Sequence, residues 1–100
     1  MKKRYKERFD KLRQIGCMAC GRNDPVIHHI RRNTGLSLRP DHDDTIPLCP
    51  QHHNMGNQSV HLNKKMFVSL FGTEEQLLRT ANIKINQLER NDIFYGKGNK

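Results

Sequence analysis

Cys17-x2-Cys20 and Cys49-x2-His52 bracket an adjacent pair, His28-His29, and a further histidine, His53, directly follows the second half of the bracket. Zn²⁺ takes four soft or borderline ligands in a tetrahedron, and two short knuckles joined by an intervening segment bring four such ligands together without strain. Cys17, Cys20, Cys49 and His52 meet that requirement, and the remaining histidines are the makings of a second, open site. The competing reading is three cysteines buried as small hydrophobes, or two of them joined in a disulfide. An odd cysteine count with a two-residue gap argues against a disulfide framework. No apolar stretch follows the basic N-terminal residues, so neither a secretory signal nor a transmembrane segment is expected, and the thiols are expected to be reduced in a cytoplasmic setting.

The need for a metal follows from size. A chain of 100 residues, 34% apolar and without tryptophan, reads as a single domain over 1–100 with a limited core. A structural zinc can supply what packing lacks, since binding energies on the order of 10–16 kcal/mol in small metal domains become folding energy.

Charge points to a polyanionic partner. The formal charge is +8, and three thiolates on one Zn²⁺ lower it by only about one unit. Basic residues gather at Lys2, Lys3, Arg4, Lys6, Arg8, Lys11 and Arg13, at Arg31, Arg32 and Arg39, and at Lys64 and Lys65. Such clusters attract phosphate backbones whatever the base sequence, whereas any single surface lysine is explained by solubility alone. Beside a histidine cluster, the arginines at 31–39 are the stronger candidates for phosphate contact.

The chain divides into short elements. Tyr5, Phe9 and Leu12 recur at helical spacing and stop before Gly16, which predicts a basic amphipathic helix over 3–14. Residues 25–30, Pro-Val-Ile-His-His-Ile, predict a strand. Asn33, Gly35, Pro40 and Asp41 predict a loop, and Thr45 to Leu48 a second strand, with Pro47 tolerated only at an edge or bulge. Pro50 suits the first turn of a helix carrying His52 and His53. Beyond Gly56, Met66, Phe67, Leu70 and Phe71 predict a helix with one apolar face. Thr73-x-x-Gln76 reads as a capping box opening another helix through about Leu88, with Leu77, Leu78, Ala81, Ile85 and Leu88 inward. Together the C-terminal helices span about 63–90, and Gly96 to Lys100 read as a frayed basic tail.

These residues resemble the HNH nuclease family, whose pattern runs Cys-x2-Cys, an Asp-His or His-His pair, Asn, then Leu-Cys-x2-Cys-His. Here the run is Cys-Met-Ala-Cys, His28-His29, Asp44, then Leu48-Cys49-Pro-Gln-His52-His53. Ile46-Pro47-Leu48-Cys49, His52-His53, Gly56 and His61 are further similar to the phage recombination-enhancement (Ref) nucleases, described as RecA-dependent. The resemblance implies an α+β fold, a small zinc-stabilised ββα-metal domain with a motif core over 17–61. It also implies a phage or prophage protein that cuts DNA during recombination, with a RecA-type recombinase filament as partner.

Carried over residue by residue, the resemblance makes His29 the general base and His28 and His53 ligands of a catalytic divalent cation, Mg²⁺ or another. A histidine titrates near neutrality, so the role suits the residue type. Neighbouring strand residues point to opposite sides, so His28 can face a metal while His29 approaches a phosphate from the other side. Asp44 stands where the family has asparagine. It reads either as a cation ligand or partner of His29, or as a turn residue among Asp41 and Asp43. His61 reads either as a further ligand of the catalytic cation or as a histidine bonded to backbone. His42, among aspartates, reads as solvated or DNA-facing.

The expected activity is metal-dependent hydrolysis of DNA phosphodiesters with little sequence specificity, since no extended recognition helix is evident. The alternatives are a zinc-dependent nucleic-acid-binding module without catalysis, and an adaptor that docks through an exposed apolar stripe on residues 77–88. The binding module leaves His28, His29 and His53 unexplained.

Overall fold

A computed structural model describes residues 2–30 and 42–91. The elements are helix α1 (Lys3–Ile15), strand β1 (Val26–His29), strand β2 (Thr45–Leu48), a π-helical turn (Gln51–Met55), helix α2 (Lys64–Phe71) and helix α3 (Glu74–Asn91). The predicted loop containing Arg31, Arg32 and Arg39 lies outside the described residues, as does the C-terminal tail.

α1 forms where the apolar spacing predicts it, and Phe9 and Leu12 are buried. Its end is set by Gly16, at φ 85°, where an added Cβ would lie 3.1 Å from the carbonyl oxygens of Gly21 and Arg22. The chain therefore turns directly into the first cysteine knuckle, closed by Cys17 N–H on Arg22 O and Gly21 N–H on Cys17 O. Only glycine tolerates both the positive φ and the close backbone approach.

β1 and β2 pair antiparallel, with Val26 opposite Leu48, Ile27 opposite Pro47, His28 opposite Ile46 and His29 opposite Thr45. β1 is shorter than the predicted 25–30, although Ile30 N–H still donates to Asp44 O just beyond the ladder. Both strands of a two-stranded sheet are edges, so Pro47 removes no donor that a third strand needs. Its carbonyl is used, accepting from Met18 N–H at 2.9 Å and fastening the first knuckle to β2.

The predicted helix after Pro50 is instead one π turn. Cys49 O accepts from both His52 N–H (3.0 Å) and His53 N–H (2.9 Å), and Gly56 N–H reaches back five residues to Gln51 O (2.9 Å). A Cβ on Gly56 would sit 2.6 Å from that same Gln51 oxygen, so the wide turn closes on a glycine. Such turns are uncommon and recur where side chains must be aimed at a site.

α2 is capped by Asn63, whose Oδ1 accepts from Met66 N–H. Of its apolar residues Phe67 is fully buried and Phe71 partly, but Met66 (43% exposed) and Leu70 (50%) face solvent, which corrects the expectation of one packed stripe. The Thr73–Gln76 capping box forms in both directions, Thr73 N–H to Gln76 Oε1 at 2.8 Å and Gln76 N–H to Thr73 Oγ1 at 3.1 Å. Leu77, Leu78, Ala81 and Ile85 of α3 join Phe9, Leu12, Ile46, Leu48 and Phe67 in one core. Arg8 ties three elements together: its guanidinium donates to Thr45 Oγ1, Thr45 O and Asn82 Oδ1 at 2.7–2.9 Å. No described helix is long and apolar enough to cross a membrane.

Candidate metal centres

Two clusters of potential ligands flank the π turn. The first joins Cys17 and Cys20 from the knuckle, Cys49 from the end of β2 and His52 from the turn, with their ligand atoms all within 4.8 Å of one another. Cys20 Sγ lies 3.7 Å from Cys49 Sγ, and His52 Nδ1 lies 3.2 Å from Cys49 Sγ and 3.9 Å from Cys17 Sγ. Zinc bonds of ordinary length in a tetrahedron place sulfur and nitrogen ligands roughly 3.5–3.8 Å apart, so the four atoms suit one Zn²⁺. The cysteines are free of disulfides. Burial pushes the Cys49 thiol up, but bonds from the His52 ring and backbone outweigh it and bring the pKa to about 7; burial raises that of Cys20. The His52 ring is held edge-on to Phe71, at 5.0 Å between centroids.

The second cluster contains His28, His53 and His61. His28, on β1, is buried; His53 comes from the π turn, adjacent in sequence to a residue of the other cluster. His61 is delivered by two backbone bonds, Val60 N–H to His52 O (2.8 Å) and His61 N–H to His53 O (3.1 Å), which run the chain back alongside the turn. His61 Nε2 stands 3.1 Å from His53 Nε2. Burial, then the neighbouring His28 and His61, lower the pKa of His53 to about 4, so at neutral pH its ring is uncharged and can act as a ligand. Three imidazoles are one ligand short of a tetrahedron, which leaves a position for water or substrate, the arrangement of an open site.

Glu74, at the start of α3, was not singled out by the sequence. His28 Nε2 donates to Glu74 Oε2 at 2.6 Å, and Lys64 Nζ donates to Glu74 Oε1 at 2.9 Å. The bond from His28 is the main reason the Glu74 pKa falls to about 2, with Lys64 adding to it and burial opposing it. Lys64, a candidate phosphate contact, thus has a carboxylate partner inside the protein, while Lys65 is exposed.

His29 lies on the other side of β1. Its Nε2 is 3.0 Å from His42 Nδ1, and Phe9 is edge-on to both rings. Burial, then His42 and His28, lower its pKa. His42 is therefore neither freely solvated nor isolated: Tyr5 packs against its ring and Thr45 Oγ1 donates to its carbonyl. Asp44 belongs to neither cluster among the described residues, and its main-chain oxygen closes the end of the sheet.

The fold and the clusters define a small α+β protein, two antiparallel strands with helices, that carries a Cys₃His set able to hold zinc and a separate three-histidine set. Compared with protein-family models, curated proteins and solved structures, the chain matches none.

Proposed function

We propose that this protein is a metal-dependent DNA endonuclease of the HNH type, built on a zinc-stabilised ββα-metal core. The observation that carries the reading is the division of an adjacent pair across one strand: His28 joins His53 and His61, while His29 turns the other way to His42. A zinc-binding module without catalysis accounts for the Cys₃His set but gives no reason for three further histidines to converge beside it.

In this reading His28, His53 and His61 would hold a divalent cation. When bound, such a cation stabilises charge developing on phosphoryl and leaving oxygens. His29, held neutral by burial and by its histidine neighbours, takes the proton of the attacking water. His42 keeps the ring in place through its contact with Nε2, so Nδ1 of His29 is the nitrogen left to take that proton. Arg31, Arg32, Arg39 and Lys65 are proposed to meet the phosphate backbone, a contact that adds affinity without reading sequence. Action during phage recombination, with a RecA-type filament as partner, is part of the same proposal and rests on the resemblance alone. The buried face of α3 weighs against an adaptor that docks through residues 77–88.

The test is cleavage of supercoiled plasmid and single-stranded DNA by zinc-loaded protein, with and without Mg²⁺ or Mn²⁺, beside a folded His29→Ala variant. Metal-dependent nicking that the variant loses supports the reading. DNA binding without cleavage, persisting when RecA filaments are added, would replace it with the binding module.

A further inference from the structure

Glu74 is the residue that neither the motif nor the helix it begins explains. An acidic residue in the first turn of a helix ordinarily faces outward and interacts with the helix dipole. Glu74 instead turns inward, its side chain only 12% exposed, and meets the 5%-exposed side chain of His28 from a position 46 residues along the chain. Lys64, at the start of α2, holds its other oxygen. One carboxylate therefore joins β1, α2 and α3 at the edge of the three-histidine cluster.

An imidazole nitrogen has a single in-plane position for a proton, a hydrogen bond or a metal. An ionised carboxylate only accepts hydrogen bonds, so the 2.6 Å contact places a proton on Nε2 of His28, and Nδ1 is the nitrogen left to bind a metal. Ligating histidines recurrently donate their other ring N–H to a carboxylate, which fixes tautomer and orientation and raises the basicity of the ligating nitrogen.

We infer that Glu74 is the positioning residue of the three-histidine centre: it holds His28 as the Nε2–H tautomer, presents Nδ1 to a divalent cation, and sets that centre's metal affinity from α3. The inference rests on the proposed cation-binding role of His28, His53 and His61, and adds a residue from outside the motif to it. The carboxylate binds the histidine rather than the cation. A negative charge there also offsets part of the charge the cation brings into a half-buried cluster.

The experiment uses the full chain with one Zn²⁺ in the Cys₃His set, titrated with further Zn²⁺ and followed by calorimetry and by long-range ¹H–¹⁵N correlation of the histidine rings. Before the titration, His28 is expected to carry its proton on Nε2, and the added zinc is expected to perturb its Nδ1. Glu74→Ala is expected to weaken the second zinc site about 10–100-fold, with the first site still filled and the amide spectrum preserved. Glu74→Gln, whose carboxamide oxygen can still accept from Nε2, is expected to recover part of the loss and carries the test if the alanine variant does not fold. A second zinc arriving on His28 Nε2, or equal affinity in wild type and variants, would overturn the inference about Glu74 while leaving the three-histidine site standing. Wild-type protein that takes up no second zinc would overturn both this inference and the proposed function.

Discussion

The two clusters share a π turn but differ in what their ligands are and in how many there are. Cys17 and Cys49 are almost fully buried and Cys20 is exposed, and three thiols with one imidazole complete the four ligands of a closed set that suits a structural zinc. The other set has only three ligands, all imidazoles, so a four-coordinate ion there keeps one position for a ligand from solvent. A thiolate-rich set of four can contribute folding energy, whereas three imidazoles without a thiolate would hold a cation less tightly and leave one position open. The contrast teaches that a 100-residue chain can keep two different ligand sets apart using consecutive residues of one turn.

The largest effect should come from the closed set. Removing its zinc with a chelator, or replacing Cys49 by serine, is expected to abolish cooperative unfolding of the knuckle and strands, because metal-binding energy on the order of 10 kcal/mol exceeds what a small core supplies. Thermal melting by circular dichroism reads this directly, and a native-like melt of the metal-free chain would erase the distinction between the two sets. Next, His53→Ala should leave the zinc-loaded fold intact while reducing affinity for a second metal by more than tenfold, a loss at least as large as that of an outer-shell partner. Equilibrium dialysis with metal analysis checks it; loss of both metals would mean that the clusters do not act separately.

A smaller effect is expected at the turn between them. Gly56→Ala places a Cβ against Gln51 O and should cost about 1–3 kcal/mol, the usual range for overpacking. Because His52 and His53 both hang from this turn, each cluster's metal affinity should fall, and chemical denaturation together with metal titration would separate the two losses. The smallest effect belongs to Leu70 of α2: Leu70→Ser is expected within about 0.5 kcal/mol of wild type, in contrast to Phe67→Ala at the fully buried position of the same helix, which should cost about 3–5 kcal/mol.

Much of this was legible in the sequence because the relevant signals are local. Cysteine spacing places four ligands together whatever the intervening chain does, and the capping box at Thr73–Gln76 specifies its own hydrogen bonds. The π turn was not legible: Pro50 and the residues after it suit an ordinary helical start, and the difference lies in which carbonyl accepts from Gly56 N–H. Met66 and Leu70 follow the periodicity of a packed stripe, yet an eight-residue helix whose core contact centres on Phe67 leaves them outside. Glu74 and His42 were hidden for another reason. Each meets a histidine through a tertiary contact, and each has an ordinary local explanation, as a helix-start acid and as a polar residue among aspartates.

The peptide unit joining His52 to His53 has a mechanical consequence. Consecutive Cα atoms are about 3.8 Å apart across a trans peptide, with little extension available. The ring on one side belongs to the sulfur set and the ring on the other to the histidine set, so no flexible spacer absorbs a displacement between them. A larger ion in the sulfur set, with longer bonds, would shift the His52 ring and draw the backbone of His53 with it. Ionic radius on the closed side thus becomes a means of tuning the geometry on the open side without changing any residue there.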